Sequence, residues 1–140
     1  MANTNTLAVL LGTDRGKLRM VPTKKVEIKR LSETVGQPVV FTVRALTGEE
    51  FQDAQDAAMR ISKRGEVEEL DSRTLQVMCV LFGTQDPNLK DKELLDLYEA
   101  ATPDQLLDGR FLLPGELSQL FNAIQELSGF GDGAVQEIKN

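Results

Sequence analysis

Three short stretches of the chain set glycines, carboxylates and lysines at spacings close to those that bind a phosphate, a dinucleotide or calcium. "GTDRGK" (12–17) puts two glycines ahead of a lysine, the order of a loop whose backbone N–H groups wrap a phosphate. It has one residue too few between the glycines, and Leu18 stands where a Mg²⁺-binding Ser or Thr is required. "GFGDG" (129–133) follows a helical pattern and not a strand, so it is no dinucleotide turn. "DPNLKDKELLDL" (86–97) opens like a calcium loop with Asp86 and Asn88. It then offers Lys90 as the third ligand, Asp91 in place of the turn glycine and Leu97 in place of the bidentate glutamate. All three read as loop and cap chemistry. Glu49, Asp53 and Asp56 have helical spacing, and their charge suits the positive end of a helix.

The residue types that most often do chemistry are scarce. The chain has no histidine and a single cysteine, Cys79. That excludes Ser-His and Cys-His nucleophile pairs, histidine-ligated metals and an intrachain disulfide. Carboxylate and lysine chemistry stay open on composition, but the residue most used for proton transfer near neutral pH is missing. The expectation is a protein that is not an enzyme, with no catalytic residue, no metal and no cofactor. Cys79 lies in an apolar run and reads as a small buried residue.

The formal charge of −6 is unevenly spread. Residues 14–30 hold seven basic side chains (Arg15, Lys17, Arg19, Lys24, Lys25, Lys29, Arg30) against Asp14 and Glu27; the remainder holds nine basic and twenty acidic. Nucleic acid is disfavoured as a partner, because the basic stretch has no aromatic residue for base stacking and sits on an acidic body. A solvated strand and loop is the favoured reading of the arm. No apolar run approaches the roughly 20 residues of a membrane span. "LAVLL" (7–11) is too short for a signal-peptide core and has no basic segment before it. Cytosolic residence is expected.

With 140 residues the chain has the size of one domain, and it is divided as follows: 1–22 an N-terminal segment, 23–46 a β-hairpin, 47–128 a helical body, 129–140 a flexible tail. In 4–12 the apolar pattern is too brief to separate a short helix from an extended segment. "KKVEIKRL" alternates Val26 and Ile28, with Arg30 next in line, against Glu27 and Lys29; "VVFTVRAL" alternates Val39, Phe41 and Val43 against Val40, Thr42 and Arg44. Two such runs around "SETVGQP" predict a hairpin. Thr47 and Glu50 have capping-box spacing, with Leu46 and Phe51 placed as a staple. A helix is expected over 48–64, burying Phe51, Ala54, Ala58 and Ile61 and stopped by Gly65. A buried central helix follows Asp71 or Ser72, and "GTQDPNL" reads as a loop. Asp91 and Thr102 cap two shorter helices, the second with Pro103 at its first position. The fold class is α+β: an N-terminal hairpin and then about five helices, mainly helical.

The clearest periodicity lies in "FLLPGELSQLFNAIQELSGF" (111–130). Leu113, Leu117, Leu120, Phe121, Ile124 and Leu127 share one side of a helix opened by Pro114. Gly129 suits a left-handed stop, with Phe130 folding back onto Ile124. Leu117, Leu120, Phe121 and Ile124 are expected in the core.

Taken in order, "VEIKRLSETVGQPVVFTVRALTGEEF", "LKDKELLDLYEAATPDQLL" and "LLPGELSQLFNAIQELSGF" resemble the XkdN-like tail assembly chaperones of bacteriophages and prophages. The resemblance spans roughly residues 5–131, and "GTDRGKLRMVPTKK" is a departure from it. It implies an accessory protein of the host bacterial cytoplasm, absent from the mature virion. Its implied partners are the long, helical tape-measure protein and the tail-tube protein, with a homo-oligomer possible and no partner-binding residue assigned. The competing reading is a structural virion protein, a tail or head-tail connector subunit.

Overall fold

The structure, a computed structural model, describes residues 5–62 and 72–138. The stop at Gly65, the cap at Asp71 and the side chain of Ile61 lie outside the described residues. Two short helices come first, α1 (Thr6–Leu11) and α2 (Arg15–Arg19). Each is opened by a side chain: Asn5 Oδ1 accepts from the N–H of Leu7 (2.8 Å) and Asp14 Oδ2 from that of Lys17 (3.2 Å). The basic arm is therefore helix before it is strand, and the phosphate-loop lookalike is the join between two capped helices.

Strand β1 (Thr23–Glu27) pairs antiparallel with β2 (Val40–Arg44), from Thr23 opposite Arg44 to Glu27 opposite Val40. The alternation in β2 resolves as expected. Phe41 and Val43 are fully buried while Val40, Thr42 and Arg44 retain access to solvent. The connection is not the simple turn that the glycine and proline of "SETVGQP" predict. It contains α3 (Lys29–Val35), which takes Arg30 out of the strand face. Helix wins because Ile28 and Leu31, three residues apart, both reach the core. Gly36 (φ 78°) then ends α3 in the left-handed conformation, and Ser32 Oγ accepts from the Val39 N–H at 2.8 Å to return the chain to the sheet.

Helix α4 (Gly48–Ser62) starts with the anticipated reciprocal cap. Glu50 N–H donates to Thr47 Oγ1 (3.2 Å) and Thr47 N–H to Glu50 Oε1 (3.0 Å). Ala54 and Ala58 are fully buried and Phe51 half-buried. Helix α5 (Ser72–Gly83) is central, packing on α4, α7 and α8 and touching the sheet, with Val77, Met78, Cys79 and Val80 buried. Gly83 lets α5 and α8 approach closely: a Cβ there would lie 2.7 Å from Ile124 Cδ1. The loop expected next instead supplies a third strand, β3 (Thr84–Asp86), giving the order β1-β2-β3. Three residues are too few to show alternation, and they pair through backbone groups that the outer edge of β2 leaves open.

Helices α6 (Lys92–Leu97) and α7 (Pro103–Leu107) carry the predicted Asp91 and Thr102 caps. Leu106 and Leu107 of α7 are buried. Helix α8 (Pro114–Gln125) buries Leu117, Leu120 and Ile124, with Phe121 half-buried. Leu113, grouped with that stripe by its spacing, is 52% exposed, because it sits before the first helical turn. A π-helical turn, Glu126–Phe130, follows, and Gly129 adopts φ 92°. The ring of Phe130, expected over Ile124, rests 5.4 Å from that of Phe51 on α4. The five helices expected after the paired strands are α4 to α8; α1, α2 and α3 are additional.

Candidate functional site

The residues whose spacing hinted at chemistry sit on a solvated helix face and in turn and cap hydrogen bonds. Glu49, Asp53 and Asp56 are exposed along α4, and Asp56 accepts a hydrogen bond from Gln52 at 3.1 Å. Asn88 Oδ1 is spent on the N–H of Lys90 (3.0 Å) and Asp91 on capping α6. Among the described residues no group of three or more His, Cys, Asp or Glu side chains could hold a metal ion. Cys79 is buried, which pushes its thiol up to about 11, far from a useful nucleophile.

Two surface features stand out among the described residues. The first is a groove of about 590 Å³ between β1 with the start of α3 on one side and α8 on the other. Its floor is apolar, from Val26, Ile28, Leu120 and Ala123. Its rims carry charge and amides: Lys24 and Lys29 on one wall, Gln119, Asn122 and Glu126 on the other. One end is fixed by a bidentate pair, Arg30 Nε and Nη2 donating to Glu116 Oε2 and Oε1, both at 2.9 Å. Arg30 also donates to the Phe111 carbonyl (3.1 Å), and Glu116 accepts from the Leu113 N–H (2.8 Å). The pair thus joins α3 to the start of α8 and sets the width of the groove. No local pattern marks Arg30, since its partner lies 86 residues away. The only signal is Glu116 at the third helical position behind Pro114, which predicts a carboxylate turned toward its own helix start.

A second bidentate pair holds the sheet to α4. Arg44 donates to both oxygens of Glu50 at 2.7 Å and to the carbonyls of Ala45 (3.0 Å) and Phe82 (3.1 Å). The Arg44 guanidinium, helped by the Thr47 N–H and opposed by desolvation, holds the Glu50 carboxyl down at about 2. Arg30 lowers Glu116 in the same way, again against desolvation. A carboxylate depressed on folding contributes stability that is fully present above its unfolded pKa, near 4.5, and lost as pH falls through the folded value. The melting temperature should therefore drop between about pH 5 and about pH 2.5, and less steeply in Glu50→Gln. Equal slopes in thermal melts of the two proteins would contradict this role for Glu50.

The second feature is the N-terminal arm. Neither α1 nor α2 contains a buried residue. Leu7 (59%), Val9 (49%), Leu10 (47%), Leu11 (76%), Leu18 (49%) and Met20 (75%) all face solvent beside Arg15, Lys17 and Arg19. The sequence separated the basic stretch from the apolar run before it; in the structure both lie on short helices that leave their side chains in solvent.

The sequence model described as phage XkdN-like tail assembly chaperone protein matches residues 7–140. The chain is 25% identical over 118 residues to the phage-like element PBSX protein XkdN of Bacillus subtilis (strain 168), covering 80% of each chain. The fold is similar to the crystal structure of the protein YqbN, with a TM-score of 0.61 at 21% identity, over 94% of this chain and 100% of that one.

Proposed function

The chain belongs to the phage XkdN-like tail assembly chaperone family, and from that premise we propose that it acts without catalysis, holding a helical segment of the tape-measure protein in the groove between β1 and α8 while tail-tube subunits assemble. The observation that carries this reading is the groove itself. An apolar floor between polar rims, about 590 Å³ in extent, has the form that takes the apolar face of an amphipathic helix. The acidic balance of the chain keeps such a complex soluble while apolar surface is on offer. Among the described residues no helix is long and apolar enough to cross a membrane, and we place the activity in the host cytoplasm, with the protein released before the particle is finished.

Co-expression with the tape-measure protein tests the groove. Asn122→Arg and Ala123→Arg put a long charged side chain across it and should reduce capture at least about tenfold, an effect typical of blocking the centre of an interface. Asn122 is exposed, so its variant should melt like the wild type. Undiminished capture by Asn122→Arg with an unchanged melting curve would remove the groove from the proposal. Mass spectrometry of purified particles separates the chaperone from a structural subunit, which would be retained at stoichiometric levels.

A further inference from the structure

Strand β1 stands at the edge of the sheet, and its pairing with β2 fixes which of its backbone groups are used. Thr23 to Glu27 lie opposite Arg44 to Val40. The run is framed by bonds from the Ala45 N–H to the Pro22 carbonyl (2.9 Å) and from the Ile28 N–H to the Val39 carbonyl (3.0 Å). In an antiparallel pair alternate residues bond to the neighbouring strand, so residues 22, 24, 26 and 28 face β2. The N–H and C=O groups of Thr23, Lys25 and Glu27 point the other way. Among the described residues nothing bonds to them, and all three residues are exposed. Such an edge is a template for one more strand. Lysines on an edge ordinarily discourage that pairing. Here Lys25 is followed two positions on by Glu27, on the same outer face of the sheet. Among the described residues neither is in an ion pair.

We propose that β1 of one copy pairs antiparallel with β1 of a second copy about a two-fold axis at Val26, so that Lys25 of each strand lies opposite Glu27 of the other. The occupant is a second copy because β1 is complementary to itself in this register. The neighbouring registers set Lys24, Lys25 or Glu27 opposite its own copy, and like charges directly opposite weaken a strand pair. Lys25 and Glu27 both point their backbone groups outward, so each cross-strand pair exchanges both of its N–H···O bonds. Val26 meets Val26 between them. The same edge serves both copies, so the assembly closes as a symmetric dimer. Val26 and Glu27 belong to the seam and also line the groove, so the two grooves come to lie side by side beneath the joined strands. The inference does not rest on the tape-measure reading: capture of that protein by a chain that stays monomeric overturns this one and leaves that one standing.

Sedimentation velocity on the full chain over a range of concentrations tests the pairing, and the wild type should dimerise. Lys25→Glu and Glu27→Lys each set like charges opposite one another across the seam and should weaken the dimer about tenfold or more. The double variant exchanges the two partners and should return to within about threefold of the wild type. Both side chains are exposed, so all three variants should melt like the wild type at a concentration where it is monomeric. Amide exchange followed by NMR over the same concentrations reads the backbone bonds. The Lys25 and Glu27 N–H groups should gain protection as the dimer forms, while that of Thr23, beyond the last pair, stays open to exchange. A monomer at every concentration overturns the proposal, as does a dimer that leaves the Lys25 and Glu27 amides unprotected. A double variant no tighter than either single change overturns the register.

Discussion

Phe41→Ala is expected to lower the free energy of unfolding by about 3–5 kcal/mol, the range for deleting a buried phenylalanine ring. Phe41 occupies the central strand, opposite Val26 of β1, and is fully buried. Its ring lies 6.0 Å from that of Phe111, which in turn lies 4.9 Å from Tyr98. The ring thus ties the sheet to the segment entering α8, whose Phe111 carbonyl also receives Arg30. A domain of ordinary stability holds only about 5–15 kcal/mol, so the variant should sit near the edge of folding and melt about 10 °C or more below the wild type. Phe41→Leu keeps most of the volume and should lose much less. Urea titration of both variants gives the comparison, and a loss under about 1 kcal/mol for Phe41→Ala would mean that the cavity collapses and the ring is no tie.

Phe41 also shows which parts of this fold a reader of the sequence can reach. Its burial follows from alternation over five residues, and the Thr47–Glu50 cap from two residues three apart; both are local, and both stand in the structure. Helix α3 was open to the same kind of reading through Ile28, Leu31 and Gly36. The strand-like alternation of "KKVEIKRL" masked it, because alternate and helical spacings share positions over so short a run. The π-helical turn likewise hides the partner of Phe130, since shifting the helix by one residue re-aims every side chain beyond it. Arg30 was beyond reach on any local argument, as its role depends on Glu116 arriving from the far end of the chain. The groove is built by that long-range pair, so it was invisible. The arm was half visible: charge and apolar content could be counted, but whether the body would cover them could not.

Leu120→Ala separates what holds the groove from what the groove holds. Leu120 is 2% exposed, and its side chain forms part of the floor between the core and the groove. Truncation should cost about 2–5 kcal/mol through lost burial and the cavity left behind. The melting temperature should fall by several degrees per residue-sized cavity, on the order of 3 °C for each kcal/mol in a chain of this length. Capture of the tape-measure protein should then fall only as far as the folded fraction falls, because the rims proposed to meet the partner are intact. Asn122→Arg, two residues further along α8 and exposed, should do the reverse, lowering capture at an unchanged melting temperature. Measuring both variants by calorimetry and pull-down gives a two-by-two result. If Leu120→Ala loses partner binding while melting like the wild type, then Leu120 belongs to the interface, and the partner must open the β1–α8 seam to reach a side chain that the free protein buries.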